Sequence, residues 1–160
     1  MKESIAENSN CRRGIYKLET PDFPCLFCGI CCSKFQPQLT LTEAHSLADK
    51  LGVSWERFRS EYFDPRWPGT QSYLLRHVNG ACIFLHTAAD KKQKLCLVNA
   101  IKPSCCLEWR QGIYRSECLE GLKESWNLTV DASGKICGYR EKIQAFERFI
   151  LAQKNPHLSK

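Results

Sequence analysis

The chain has 160 residues, about one hydrophobic core's worth, and its 43% hydrophobic, 25% charged and 11% aromatic composition is that of a folded globule. Disorder, collagen-like repeats and coiled coil are excluded, and the longest apolar runs, such as 81–85, fall far below the roughly 18 residues of a membrane helix. A formal charge of +6 raises the question of nucleic acid, yet the runs Arg12-Arg13 and Lys91-Lys92-Gln93-Lys94 are short, lack interleaved aromatics and read as solvated loops.

The first twenty residues carry charges throughout and lack the apolar stretch of a signal peptide. They read as a polar N-terminal arm, 1–20, on a cytoplasmic protein, and 21–155 as one cysteine-rich domain. Residues 21–36, PDFPCLFCGICCSKFQ, hold Pro21, Pro24 and Gly29 and predict a loop. Thr40 with Glu43 three residues on is a capping box, and Leu41, Ala44, Leu47, Ala48 and Leu51 follow at helical spacing until Gly52. Ser54 caps a second helix through Tyr62, which Asp64-Pro65 and Pro68-Gly69 end.

A hairpin comes next. Ser72–Val78 and Ala81–His86 are strand-like runs around Asn79-Gly80, the dipeptide preferred in a type I′ turn. That turn predicts the pairs Val78 with Ala81, His77 with Cys82, Leu75 with Phe84 and Tyr73 with His86. A short strand follows around Leu95–Val98, and Pro103 opens a helix through Cys105, Cys106 and Trp109. Leu128–Val130 and Lys135–Tyr139 predict a second hairpin around 131–134. Glu141–Gln153 closes the chain as a helix whose Ile143, Phe146, Phe149 and Ile150 form a core-facing stripe. The fold class expected is α+β: a small single domain of short helices and β-hairpins organised around a cysteine metal cluster.

Eleven cysteines make that cluster the main signal. In a reducing compartment so many thiols are not held as structural disulfides, and the usual alternative use is metal. Cys25-x2-Cys28-x2-Cys31-Cys32 packs four thiols into eight residues, with the two-residue gaps at which one loop turns two sulfurs onto one ion. Thiolates are soft donors suited to zinc or iron, whereas magnesium and calcium take oxygen ligands. In extended backbone Cys31 and Cys32 point in opposite directions, which favours a second metal or a bridging role for Cys32. Downstream lie Cys82, Cys96, Cys105, Cys106 and Cys118. Cys11 and Cys137 read as small structural hydrophobes, and His77 as a packing residue opposite Cys82.

The loop, followed by Cys82-Ile-Phe-Leu, Cys96-Leu-Val and Lys102-Pro103-Ser104-Cys105-Cys106, resembles the YkgJ-like CxxCxxCC cysteine-cluster family over roughly residues 22–110. That family is described as zinc- or iron-chelating. The resemblance implies Cys25, Cys28, Cys31, Cys32, Cys82, Cys96 and Cys106 as metal ligands, and Cys105 as additional to the pattern. Where the family commonly has an Arg-Pro pair this chain has Lys102-Pro103, and where it has a basic residue after the last cysteine this chain has Leu107. Lysine does not reproduce a guanidinium's planar fork.

Two functions follow. The leading one is a metal-binding protein chelating zinc or iron ions, with more than one ion bound. The alternative is an iron–sulfur redox protein in electron transfer or as an oxidoreductase, although ferredoxin spacing would continue with x3-Cys-Pro and here Cys32 follows Cys31 directly. Metal ions are the expected partners, without membrane or nucleic acid. No P-loop, dinucleotide fingerprint, G-x-S-x-G or H-E-x-x-H is present, so no hydrolase or transferase chemistry is indicated.

Overall fold

The computed structural model describes residues 23–67, 71–89 and 93–154. The polar arm with Cys11 and Arg12-Arg13, the Pro68-Gly69 turn and Lys91-Lys92 lie outside the described residues. The chain is α+β, with six helices and four two-stranded antiparallel sheets among the described residues. It divides into two compact units: Phe27–Arg110, and its flanking segments, described over 23–26 and 111–154.

In the Phe27–Arg110 unit, the segment predicted as loop contains helix α1 (Ile30–Lys34). Gly29, at φ 73°, turns the chain into it; this is a left-handed backbone that glycine adopts without Cβ strain. Strand β1 (Gln38–Thr40) leads directly into α2 (Leu41–Leu51). Both arms of the capping box are formed: Glu43 N–H donates to Thr40 Oγ1 at 3.2 Å, and the Thr40 N–H donates back to Glu43 Oε2 at 2.9 Å. Gly52, at φ 68°, closes the helix. Helix α3 (Trp55–Tyr62) is capped by Ser54 Oγ, which accepts from Arg57 N–H.

The long ribbon expected around Asn79-Gly80 is broken. β2 (Ser72–Leu74) pairs with β1, setting Tyr73 opposite Leu39, and Leu75 bridges to Phe63. Only the turn-proximal part keeps the expected register: β3 (His77–Val78) and β4 (Ala81–Cys82) set His77 opposite Cys82 and Val78 opposite Ala81. Asn79 and Gly80 both have positive φ, as a type I′ turn requires. Beyond it β5 (Leu85–Thr87) pairs with β6 (Lys94–Cys96), so His86 faces Leu95 rather than Tyr73. Burial explains the rerouting. Leu39, Leu75 and Phe84 enter one core with Ala44, Leu47, Ala48, Phe58, Phe63, Cys82 and Val98, which a flat two-stranded ribbon would leave half exposed. Ring stacking knits this core: Phe58 on Tyr62 at 4.9 Å, Tyr62 on Phe84 at 5.3 Å and Phe63 on Tyr73 at 4.3 Å. A 3-10 turn (Asn99–Ile101) and α4 (Ser104–Glu108) complete the unit, with Pro103 in the N-cap position just before the helix.

The other unit contains α5 (Ser116–Trp126), a helix the sequence reading did not foresee. The hairpin of β7 (Thr129–Val130) and β8 (Ile136–Cys137) follows, paired Thr129 to Cys137 and Val130 to Ile136. Asp131 sets its turn by accepting from the backbone N–H groups of Ser133 and Lys135. In α6 (Arg140–Lys154), Ile143, Phe146 and Ile150 are buried, and Trp126 meets Phe146 and Phe149 at 5.1 and 4.8 Å.

Candidate metal centre

Seven of the cysteines belong to the Phe27–Arg110 unit: Cys28, Cys31, Cys32, Cys82, Cys96, Cys105 and Cys106. Local structure dictates where each stands. Cys28 immediately precedes the Gly29 turn, and the loop is tied to β6 by a Lys94 N–H···O=C Phe27 hydrogen bond of 2.8 Å. Cys31 and Cys32 occupy the first turn of α1, which packs against β4 and so against the strand bearing Cys82. Cys96 ends β6, opposite Leu85. Cys82, Cys32 and Cys96 all pack on the aromatic core, so a rigid apolar floor holds sulfurs from three elements.

α4 brings the last pair. Its first residue is fixed by Glu43, whose Oε1 accepts from the Ser104 N–H at 2.9 Å and also from the Ser104 hydroxyl. One carboxylate therefore caps α2 and anchors the helix carrying Cys105 and Cys106. These bonds hold the Glu43 carboxyl well down, to about 2, with the Ser104 hydroxyl contributing most.

The thiols also influence one another's protonation. Cys31 and Cys32 are hydrogen-bonded with sulfurs 4.0 Å apart. The Cys32 thiol donating to Cys31 lowers Cys31 to about 7 against the opposing effect of burial, and nearby Lys102 lowers it further. Cys32 is pushed up, first by that same bond, then by burial and by repulsion from Cys31, Cys82 and Cys96. Cys105 and Cys106 repeat the arrangement: the Cys106 thiol lowers Cys105 to about 7, assisted by the Gln38 backbone, while Cys106 rises and is repelled by Cys105, Cys82 and Cys96. Burial raises Cys82, with Cys96, Cys105 and Cys31 adding to it. Cys82 is thus the thiol that both pairs share as a neighbour in charge: it acts on Cys32 and on Cys106, and Cys31 and Cys105 act on it.

The expectation that Cys31 and Cys32 point apart assumed extended backbone. In helix α1, neighbours diverge by only about 100° around the axis. Two sulfurs each about 2.3 Å from one tetrahedral ion lie roughly 3.8 Å apart, close to the separation seen here. Direction therefore does not separate the pair.

A model for the family described as "CxxCxxCC: Putative zinc- or iron-chelating domain" matches residues 24–132. The chain belongs to the CxxCxxCC family. Comparison with curated proteins and with solved structures gives no match. Membership of the CxxCxxCC family supports metal binding, and the donor set fits it: the gathered atoms are thiol sulfurs, the choice of zinc and iron. Among the described residues no three histidine, cysteine, aspartate or glutamate side chains already close on a common ion position.

Other residues singled out in the sequence stand elsewhere. Cys25 falls in the flanking-segment unit, where its carbonyl accepts from Gln153 Nε2 at 3.0 Å. Cys118 is buried on α5 in that unit. Cys137 is buried on β8 and disulfide-bonded, so its burial reading holds but its thiol is not free. His77 stands opposite Cys82 as predicted, yet its Nε2 lies 3.1 Å from the Phe35 carbonyl and donates there. The sequence reading had no role for Glu43 beyond its cap, nor for Lys102 beside Cys31. A carboxylate serving a helix start sixty-one residues away leaves no local pattern.

Proposed function

We propose that the protein chelates zinc or iron ions through Cys25, Cys28, Cys31, Cys32, Cys82, Cys96 and Cys106. The observation that carries this reading is the packing of Cys32, Cys82 and Cys96, from three separate elements, on one aromatic core, with Cys31 4.0 Å from Cys32. Cys28 joins them as the residue before the Gly29 turn, and Cys25 through the two-residue spacing of the motif. Crowded thiols are poor packing partners: they waste dispersion contacts as neutral groups and repel as anions. A divalent cation removes that conflict, since it replaces protons and binds the sulfurs that otherwise repel. Metal binding should therefore stabilise the Phe27–Arg110 unit and release protons.

More than one ion is favoured by number rather than direction, because seven thiolates exceed the four of a closed tetrahedral site. The all-sulfur character of the group also supplies what an iron–sulfur cluster requires, which keeps electron transfer as the second reading. A cysteine-rich chain in which most cysteines stand outside the Cys137 disulfide fits a reducing, cytoplasmic setting. Purification under anaerobic conditions, elemental analysis and a visible spectrum test the proposal. Bound zinc or iron that falls on Cys32→Ser or Cys82→Ser supports it; a strong visible absorbance with inorganic sulfide selects the cluster reading. A metal-free chain that takes up neither zinc nor ferrous iron contradicts it.

A further inference from the structure

α1 and α4 repeat one local pattern. Each is five residues long, holds an adjacent cysteine pair at its second and third positions, and ends on an aromatic residue, Phe35 or Trp109, in the C-cap position. In both, the aromatic N–H donates back to the carbonyl of the pair's first cysteine, Phe35 to Cys31 at 2.9 Å and Trp109 to Cys105 at 3.3 Å. A single hydrogen-bonded turn therefore ties each aromatic backbone to its cysteine pair.

The two rings meet. Their centroids are 6.2 Å apart at an interplanar angle of 48°, within the range of a favourable aromatic pair. The Phe35 carbonyl also accepts from His77 Nε2 at 3.1 Å, and His77 is the strand partner of Cys82. Phe35 is thus bonded to α1 through its N–H and to the β3–β4 hairpin through its carbonyl, while its ring rests on the residue that ends α4. Core packing does not account for the pair: Phe35 is 47% exposed, and neither ring belongs to the buried cluster around Phe58. α1 packs against β4 and α4 against β1, so the helices rest on different strands and the ring contact joins their ends.

We propose that Phe35 and Trp109 are positioning residues for metal binding, their ring contact setting α1 and α4 in the relative arrangement in which Cys31-Cys32 and Cys106 take up metal. This rests on the chelation reading above and deepens it. Metal–sulfur bonds of about 2.3 Å tolerate little error in where the two helices stand, and one-turn helices have little stability of their own. A contact that fixes them before the ion arrives lowers the ordering cost of binding. Neither ring supplies a metal donor, since indole N–H only donates and phenyl has no polar atom, so both act through the helices they end.

The test uses the full chain, purified anaerobically, with zinc as the probe. Zinc affinity is read by competition with a chromophoric chelator, and the zinc-free melting temperature is read separately. Trp109→Ala should weaken zinc binding about three- to tenfold, the range expected for one aromatic pair. Trp109→Phe, which keeps a ring at the position, should bind within about twofold of wild type. Phe35→Leu and Trp109→Leu should lose affinity non-additively, the double variant binding about as well as the weaker single one. A contact serving the fold alone would be present with and without zinc, and its loss would lower the zinc-free melting temperature while leaving zinc affinity unchanged. That result overturns the inference, as do an equal loss in Trp109→Phe and Trp109→Ala or additive losses in the leucine pair; with zinc still bound by the wild type, each leaves the chelation reading standing. A wild type that binds neither zinc nor ferrous iron removes the chelation reading and this inference together. The leucine cycle decides the matter even if Trp109→Ala does not fold.

Discussion

Two glycines separate conformational strain from packing at the level of single residues. Gly29 and Gly52 both adopt the left-handed region, at φ 73° and 68°. Nothing lies within 4 Å of a Cβ built on Gly52, so Gly52→Ala should cost only the backbone penalty, about 1 kcal/mol. A Cβ on Gly29 would meet Lys94 Cδ at 2.7 Å and Leu85 Cδ2 at 2.9 Å, in the strands that hold Cys96. Gly29→Ala should cost about 2–4 kcal/mol in denaturant unfolding, strain and overpacking together. Equal costs at the two positions would mean that the cysteine loop does not pack on β5 and β6. The sequence marked Gly29 as a loop residue, which its φ supports, but the helix starting one residue later was hidden. α1 spans five residues, its N-cap makes no side-chain bond and its first turn has no acidic residue, so every usual start signal is missing.

Among elements, those with self-contained chemistry were legible: the Thr40/Glu43 capping box, the Gly52 stop, the Ser54 cap and the Asn79-Gly80 turn each satisfy their own backbone groups locally. α5 was missed because Arg115 caps nothing with its side chain and Gly121 interrupts the helix interior, where only tertiary burial compensates its cost. The extent of the Asn79-Gly80 ribbon was misjudged because β1 and β6 compete for its outer residues, and sequence alternation does not encode that competition. Glu43 joins two elements, so its loss should be felt at both. Glu43→Gln should cost about 1 kcal/mol at neutral pH, a capping-sized loss for an exposed group. Its pH dependence has a fixed sign. The folded carboxyl is held at about 2, below its ordinary range near 4.5, so the stability it contributes is complete above that range and disappears as pH falls towards 2. Unfolding free energies measured between pH 5 and 2 should therefore fall more steeply in the wild type than in Glu43→Gln. Parallel curves would show that the Ser104 contacts do not matter in solution.

At the scale of the molecule, the proposed ligands Cys32, Cys82 and Cys96 and the aromatic core of the Phe27–Arg110 unit are one structure, since these cysteines pack on the residues that bury Phe58. Phe58 is fully buried, and Phe58→Ala should cost about 3–5 kcal/mol. Metal should offset part of that loss: at free zinc about 100 times its dissociation constant the folded state gains about 2.7 kcal/mol, so chelation should lower the melting temperature of both wild type and variant. Identical melting curves with and without chelator would detach the thiols from the fold's stability. The family was legible in the sequence because cysteine spacing is a local property. The joining of α4 to the group was not, because Cys105 and Cys106 lie more than seventy residues beyond Cys31-Cys32 and reach them through Glu43, Gln38 and the β4 packing of α1. The central claim is that these sulfurs, and not oxygen donors, hold the metal. X-ray absorption at the metal edge of the anaerobically purified full chain tests it most directly. The account predicts zinc or iron with a sulfur-dominated coordination shell at about 2.3 Å, and a shell of oxygen and nitrogen neighbours at about 2.0–2.1 Å without sulfur would contradict it.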